Sequence, residues 1–260
     1  MLIALHQCFI DNFIYCKTGV NAIDDDINTI YTTELFHTAY WLNDTARHFN
    51  QSDYEQIDIM PMLAGYPDLP SWMMFYRRSH SPIVYFYGSP PKGEDGDIEI
   101  EMILIDRFTF NHTKDRLHYR ILSKNETYKY EVQIKLFDID LEDFIQQNRS
   151  KSMMDIFRRR LWRTNATIYL TNLYQPSKIG FSFPLDPTEK EGLVVRIGSV
   201  EPYTPELLKL EDETMVIRHR NPCPKRFRLT TAEYIFREHK FRVDWCGFRL
   251  HTVENVTKDE

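Results

Sequence analysis

The chain lacks long apolar runs and contains few cysteines. None of its 260 residues falls in an uninterrupted apolar stretch of about 18 residues, the length that a transmembrane helix requires. The N-terminal residues 1–10 are apolar but have no basic flank, so they make a poor signal peptide. Four Cys are too few for a disulfide-dense scaffold and leave the cellular compartment open. If the chain is extracellular, we expect its targeting and anchoring segments to be missing or atypical.

Common catalytic and ligand-binding motifs are also missing. The sequence contains no His-Glu-x-x-His pair, no Cys-x-x-Cys zinc spacing, no phosphate-cradling Gly-x-x-x-x-Gly-Lys-Ser/Thr loop and no Gly-x-Ser-x-Gly elbow. We therefore predict that the protein is not an enzyme and has no catalytic, cofactor-binding or metal-binding residues.

Two acidic clusters have structural interpretations. Residues 24–26 lack the alternating ligands, central Gly and terminal Glu of an EF-hand loop, so we interpret them as a charged loop. Residues 138–143 lie where a strand is followed by a helix, and Asp140 is suited to cap that helix. Because helix N-termini favour anionic side chains, capping explains this second cluster better than acid–base catalysis does.

The chain also lacks an excess of positive charge. Its net charge is −6 and its pI is near 5.9, which argues against nucleic acid as a partner. The one basic cluster, Arg158–Arg160 with Arg163, lies in a helix-like segment, and we interpret it as a solvated helix face.

Glycosylation acceptors, in contrast, are abundant. Seven of the 12 Asn fit the Asn-x-Ser/Thr pattern, whereas chance predicts about one or two. These sites are Asn43, Asn50, Asn111, Asn125, Asn148, Asn165 and Asn255. Such an excess is typical of a surface-exposed glycoprotein, so we predict N-glycans at these positions.

The first half of the chain has the pattern of a β-sandwich. Aromatic residues, 15 Tyr and 17 Phe, favour sheet. Predicted strands cover residues 30–38, 57–63, 72–76, 83–87, 98–105 and 116–122, and Gly- and Pro-containing turns separate several of them. Residues 1–27 remain unassigned, and residues 28–125 are predicted to form an all-β domain of roughly 100 residues.

The second half, residues 126–253, mixes strands and helices, and residues 254–260 form a tail. Predicted strands cover residues 130–136, 166–173, 179–185, 193–197 and 241–250. One helix follows Asp140, a second carries Met153, Phe157 and Leu161, a third starts at Tyr203, and Thr230 with Glu233 has capping-box spacing before a fourth. Strand-helix-strand-strand-helix-strand is the ferredoxin-like βαββαβ order.

The last predicted strand carries Trp245 and Cys246. Trp245, like Trp72, lies on an alternating pattern, so core packing is favoured over a partner-binding role. Gly247 breaks the alternation, so Phe248 and Leu250 fall on the face opposite Trp245 unless a bulge intervenes there. We hypothesise a disulfide between Cys246 and Cys223, which lies in a turn, and two buried free thiols are the alternative. Pairing of Cys8 with Cys16 also stays open.

Short motifs resemble those of one family. Asp68-Leu-Pro-Ser-Trp72, Tyr87-Gly-Ser-Pro90 and the strand 98–105 are similar to the cadherin-like sandwich of dystroglycan and the sarcoglycans. Phe241-Arg-Val-Asp-Trp-Cys246 resembles the membrane-proximal motif of alpha- and epsilon-sarcoglycan. Lys190-Glu-Gly before the strand 193–197 fits the same order, so the resemblance spans about residues 30–253.

The resemblance implies a mainly β fold with an α+β part, namely a cadherin-like (Ig-like) sandwich followed by a ferredoxin-like domain. It also implies a structural subunit of the sarcoglycan complex within the dystrophin-associated glycoprotein complex, on the extracellular face of the muscle plasma membrane, the sarcolemma. Implied partners are beta-, delta- and gamma- or zeta-type sarcoglycans, with dystroglycan as a further candidate. The membrane would be reached only through a segment that this chain does not contain.

Several points depart from the family or stay open. The chain ends at Glu260 without a membrane helix, so a secreted cadherin-like adhesion glycoprotein is the alternative function. Asn172-Leu-Tyr lacks the acceptor that the family often carries on that strand. The acidic repeats of calcium-rigidified cadherins are missing, and Asp106 is a lone carboxylate, so no calcium site is expected. Alpha and epsilon types are not distinguished.

Overall fold

The structure, a computed structural model, describes residues 28–42, 54–79, 81–124, 127–146, 149–163, 167–181, 189–218 and 230–253. These residues are mainly strands, with several helices, and they form two compact units. The first unit contains the described residues up to 123 except residues 33–35. The second unit contains residues 33–35 and the described residues from 124 onward.

The described residues of the first unit form seven strands in two sheets. The strands are β1 (Asn28–Tyr31), β2 (Phe36–Trp41), β3 (Ile57–Leu63), β4 (Met73–Tyr76), β5 (Ile83–Gly88), β6 (Gly96–Asp106) and β7 (His112–Leu122), and a 3-10 helix covers Tyr54–Gln56. One sheet has the order β1-β7-β6-β3 and the other β2-β5-β4. Neighbouring strands are antiparallel, except that β1 runs parallel to β7.

Alternation along β6 creates the core of this unit. Ile100, Met102 and Leu104 are fully buried, as the sequence pattern predicts. Glu99 and Glu101 point the other way and lie 2.9 and 3.4 Å from the Arg116 guanidinium on β7. This arrangement places an apolar row inside and an ion-paired row outside.

Trp72 belongs to the same core. Its ring lies 5.8 Å from that of Phe36 in an edge-to-face arrangement, and only 8% of the residue is exposed. The interpretation of Trp72 as a core residue is therefore confirmed.

The single strand predicted for residues 30–38 is wrong, because this segment is two strands in different sheets. The chain leaves β1 through a turn in which Thr33 has a left-handed φ of 63°. Leu35 then donates its backbone N–H to the carbonyl of Leu170 in the second unit. Residues 32–35 contain no Gly, Pro, Asn or Asp, so the sequence carries no turn signal that marks the break.

In the second unit, the described residues form one four-stranded sheet and short helices. Its elements are β8 (Tyr130–Phe137), α1 (Leu141–Gln146), α2 (Arg149–Ile156) continuing into a π-helical turn (Phe157–Leu161), β9 (Ile168–Tyr174), a 3-10 helix (Pro176–Ile179), β10 (Leu193–Ser199), α3 (Pro205–Met215), α4 (Glu233–Glu238) and β11 (Arg242–Thr252). The antiparallel sheet has the order β11-β8-β10-β9.

Helix starts agree in part with the sequence signals. Asp140 accepts a hydrogen bond from the backbone N–H of Asp143 at 2.9 Å, so its predicted capping role is confirmed. Met153, Phe157 and Leu161 are buried at their four-residue spacing, which confirms the apolar face predicted for the second helical segment.

Two local predictions are wrong. Thr230 and Glu233 do not form a capping box, because α4 begins at Glu233 after Ala232 and has no side-chain cap. Residues 176–179 form a 3-10 helix that ends at Gly180 (φ 88°), so the strand predicted from Ile179 does not start there. Residues 182–185 of that predicted strand lie outside the described residues.

Glu233 instead supports the core around Trp245. The Trp245 indole N–H donates to Glu233, whose other carboxylate oxygen accepts from Arg237 at 2.7 Å. The Trp245 ring meets Phe236 edge-on at 5.4 Å and lies 6.0 Å from Phe248. Trp245 is 1% exposed, so its core role is confirmed.

A bulge interrupts β11, the alternative that the sequence left open at Gly247. The register against β8 shifts between Asp244 and Arg249, which face Lys135 and Gln133 respectively. The chain therefore advances five residues along β11, from Asp244 to Arg249, while it advances two along β8, from Lys135 to Gln133. The extra residues bring Trp245 and Phe248 into one core, although strict alternation would place them on opposite faces.

Gly88 explains why the Tyr87-Gly-Ser-Pro90 motif contains glycine. A Cβ at this position would lie 2.0 Å from the backbone oxygen of Trp72, the residue just before β4 begins. We predict that Gly88→Ala lowers the free energy of unfolding by at least about 2 kcal/mol, because backbone on both sides must move. Chemical denaturation of purified variants measures this change.

Gly93→Ala provides the matched control. A Cβ at Gly93 meets nothing within 4 Å, so only the left-handed backbone opposes the substitution, at about 1 kcal/mol. Equal losses for the two variants would contradict a steric role for Gly88.

Candidate functional site

The acidic cluster at residues 138–143 is paired with basic side chains. Lys190 Nζ lies 3.1 Å from Asp140 and also contacts Asp143, while Arg242 contacts Asp138. Partial burial lowers the pKa of Lys190, but hydrogen bonds to Asp143 and Asp140 outweigh it and leave the pKa above its ordinary value. The carboxylates thus neutralise neighbours and cap α1.

Asp106 has a structural role in the hairpin between β6 and β7. It is 1% exposed, and its carboxylate accepts from the backbone N–H groups of Phe108 at 2.8 Å and Thr109 at 3.3 Å. The Thr109 hydroxyl donates to its other oxygen at 2.8 Å. Within the described ranges, no group of three or more His, Cys, Asp or Glu side chains could hold a metal ion.

Most of the predicted modification sites lie outside the described residues, and these are Asn43, Asn50, Asn125, Asn148, Asn165 and Asn255, together with Cys8, Cys16 and Cys223. The acidic residues 24–26 lie outside them too. Asn111 is described and exposed, at the β6–β7 hairpin. Cys246 is disulfide-bonded, and because Cys223 is not described, their pairing remains a prediction.

A polar network that the sequence did not reveal lies on β8. Glu131, Gln133 and Lys135 alternate with apolar residues, yet they are only 4%, 7% and 8% exposed. Lys135 Nζ lies 3.0 Å from the Asp244 carboxylate and 4.4 Å from the centre of the Phe181 ring. The polar face of β8 is therefore buried like its apolar face.

Glu131 and Arg196 form the centre of this network. Glu131 accepts from the Thr171 hydroxyl at 2.5 Å and lies 3.4 Å from the Arg196 guanidinium. Arg196 Nε donates to the Gln133 side chain at 3.0 Å, and the guanidinium lies over the Tyr174 ring at 5.1 Å. These contacts join β8, β9 and β10 through side chains.

Tyrosines around the network have raised pKa values. Burial raises the pKa of Tyr128, and the negative charge of Glu131 raises it further. Burial also raises the pKa of Tyr203 to about 12, while its hydroxyl donates to the Glu131 carbonyl at 3.0 Å. Both phenol groups therefore stay neutral at physiological pH.

Exposed apolar side chains mark two candidate interaction surfaces. Phe108 and Phe110 are 71% and 76% exposed at the β6–β7 hairpin, and we call them the hairpin-tip aromatics. Leu208 and Met215 lie seven residues apart on one face of α3, are 50% and 52% exposed, and form what we call the α3 ridge. The sequence patterns did not identify either surface.

The basic cluster of the α2 segment is an exposed face, as predicted. Arg158, Arg159 and Arg160 are exposed, and the first two pair with Asp155 at 3.7 and 4.0 Å. Such exposed pairs contribute little energy. No helix within the described ranges is long and apolar enough to cross a membrane.

Two family models match the chain. The model described as the sarcoglycan alpha/epsilon N-terminal domain matches residues 29–123, and the model described as the sarcoglycan alpha/epsilon second domain matches residues 127–252. The two matches fall on the two compact units of the structure.

Alpha- and epsilon-sarcoglycans are similar to this chain in sequence. Alpha-sarcoglycan of Homo sapiens is 27% identical over 191 residues, covering 72% of this chain and 48% of that protein. Epsilon-sarcoglycan of Mus musculus is 24% identical over 192 residues, covering 72% and 42%. The chain therefore spans about half the length of these relatives.

Similarity to solved structures is weak. An endo-fucoidan hydrolase from glycoside hydrolase family 107 aligns with a TM-score of 0.28 and 11% identity, over 38% of this chain and 13% of that chain. Tandem Ig repeats of Dlar align with a TM-score of 0.27 and 8% identity, over 40% and 48%. At these scores neither alignment supports a conclusion about fold or function.

Glu131→Ala should destabilise the second unit. The substitution leaves Arg196, which is half-buried, without its carboxylate, so we expect a loss of about 3 kcal/mol in the free energy of unfolding. The double variant with Arg196→Ala should lose about 1–2 kcal/mol less than the sum of the single losses. Urea denaturation measures all three, and additive losses would contradict coupling.

A surface pair provides the control for this cycle. Arg116 is 58% exposed and pairs with Glu99 and Glu101 across β6 and β7. Because solvent screens such pairs, Arg116→Ala should cost less than about 1 kcal/mol.

Stability should also depend on His37, which lies opposite Tyr87 on the neighbouring strand. The residue as a whole is only half-buried, but its imidazole ring, which carries the charge, is desolvated. This desolvation lowers the pKa of His37 from 6.5 to about 4. The unfolded chain therefore binds this proton more readily between these pH values. The free energy of unfolding should fall as pH drops through that window, by at most about 1.4 kcal/mol per pH unit.

His37→Gln tests this dependence. The variant should lose less stability than the parent chain as pH is lowered, and denaturation midpoints measured across the window give the difference. Identical pH profiles would show that other groups cause any acid sensitivity.

Proposed function

Since the chain belongs to the alpha/epsilon-sarcoglycan family, we propose that it is a non-enzymatic structural subunit of the sarcoglycan complex within the dystrophin-associated glycoprotein complex. In that role it links the muscle membrane, the cytoskeleton and the extracellular matrix. The observation that carries the proposal is the match of both alpha/epsilon domain models, in order, over residues 29–123 and 127–252.

The architecture of the two units supports finer fold assignments. Seven strands in two sheets are compatible with a cadherin-like, Ig-like sandwich in the first unit. Strand-helix-strand-strand-helix-strand order, with the first and last strands adjacent in one antiparallel sheet, is compatible with a ferredoxin-like second unit. We propose both assignments, with residues 28–125 and 126–253 as the domains.

An extracellular position at the sarcolemma completes the proposal. Seven acceptor sites in one chain and a disulfide at Cys246 support an oxidising, glycosylating compartment. We propose N-glycans at the seven acceptors named above and a disulfide that joins Cys246 to Cys223.

The α3 ridge is the surface that we propose for contact with partner subunits of the beta, delta and gamma or zeta types. Leu208 and Met215 expose apolar area on a helix whose opposite face, including Leu207 and Leu210, is buried. Apolar side chains amid charged neighbours are typical of the centre of a protein–protein interface.

Co-purification tests the proposal. The chain is displayed on muscle-derived cells through an added signal sequence and membrane anchor, together with beta-, delta- and gamma-sarcoglycan. We expect all three to co-purify with it after detergent extraction. Failure to recover any of them from cells in which the chain reaches the surface would contradict the proposed function.

Met215→Glu tests the surface. A buried charge opposes association, so recovery of partner subunits should fall about tenfold or more. Met60→Glu on β3 is the control, because Met60 and Met215 are both 52% exposed. Equal recovery with both variants would place the contact elsewhere while leaving complex membership intact.

A further inference from the structure

The β6–β7 hairpin exposes two aromatic rings to solvent on a hydrogen-bonded turn. Besides the Asp106 side-chain bonds, the Phe110 N–H donates to the Asp106 carbonyl at 2.8 Å, and the Asp106 N–H donates to the Asn111 carbonyl at 2.9 Å. The turn is therefore closed by hydrogen bonds at both ends. Solvation of two Phe rings at such a turn is unfavourable unless something covers them.

Phe110 is also in an unfavourable backbone conformation. Its φ is 57°, in the left-handed region that glycine and asparagine adopt readily and other residues adopt at a cost of about 1–2 kcal/mol. At 76% exposure, packing within the described chain does not offset this cost. A strained, exposed aromatic at a turn therefore indicates a contact with something other than the described residues.

A glycosylation acceptor lies at the same turn. Asn111 follows Phe110 directly and lies three residues after Phe108, and His112 and Thr113 complete the acceptor pattern. Asn111 is exposed, and the hydrogen bonds described for it use its backbone N–H and carbonyl, so its side chain is available for modification.

We propose that the first N-acetylglucosamine of a glycan on Asn111 packs against the hairpin-tip aromatics and covers them. One face of a pyranose ring presents C–H groups, and an aromatic ring attracts such groups through dispersion and weak C–H contacts. The hairpin thus acts as a built platform for its own glycan. This inference rests on the extracellular location proposed above.

A stability cycle tests the platform. The chain is secreted from mammalian cells, with the added signal sequence, as the parent, Phe110→Gly, Asn111→Gln and the double variant, and glycopeptide mass spectrometry measures occupancy of Asn111. Without the glycan, Phe110→Gly relieves backbone strain, so the melting temperature should rise by about 1–3 °C. With the glycan, the lost contact should cancel or reverse this rise.

Two further variants sharpen the cycle. Phe108→Ala should lower the melting temperature more in the glycosylated protein than in the Asn111→Gln background. Tyr66→Ala, a change at an aromatic that is 64% exposed in another turn, should have the same effect in both backgrounds.

The outcomes separate this inference from the location on which it depends. Occupied acceptors elsewhere with an unmodified Asn111, or equal effects of Phe110→Gly and Phe108→Ala with and without the glycan, would overturn the platform alone. No occupied acceptor at all would overturn the extracellular location as well.

Discussion

Burial of both faces of β8 is the constraint on which the second unit depends. One face contributes the fully buried Val132, Ile134 and Leu136 to the core. The other face carries charged and amide groups into an almost equally dry environment, where an unpaired charge is expensive. Each charged group therefore forms an ion pair with a neighbouring strand: Glu131 pairs with Arg196 on β10, and Lys135 pairs with Asp244 on β11.

This pairing also ties the bulge of β11 to the sheet. Lys135 contacts Asp244 just before the bulge, and the Gln133 amide donates to the Gly247 carbonyl within it at 3.4 Å. The bulge in turn brings Trp245 and Phe248 into one core. The segment from Phe241 to Phe248 is thus one physical unit, in which a buried indole, a bonded cysteine and a bulge depend on the polar face of the neighbouring strand.

Local periodicity predicted much of this architecture, and its failures have physical causes. Alternation identified β6, β7, β8 and β11, because one face of each strand repeats every second residue. Periodicity did not predict the break between β1 and β2, because Thr33 adopts a left-handed conformation without the Gly or Asn that usually signals one. Glu233 had the spacing of a capping residue but bonds Trp245, a tertiary contact that sequence spacing does not encode. Burial of Glu131 depends in the same way on three strands meeting.

The surface of the chain exposes two different kinds of apolar group. The α3 ridge presents aliphatic side chains on a helix, with no acceptor among residues 205–215. The hairpin tip instead presents aromatic rings beside an acceptor, on a turn that a buried carboxylate holds in place. Aliphatic surface is suited to another protein, whereas a flat aromatic ring is also suited to the face of a sugar. In the function that we propose, the α3 ridge serves association and a glycan covers the hairpin tip, and these two surfaces lie on separate units of the chain.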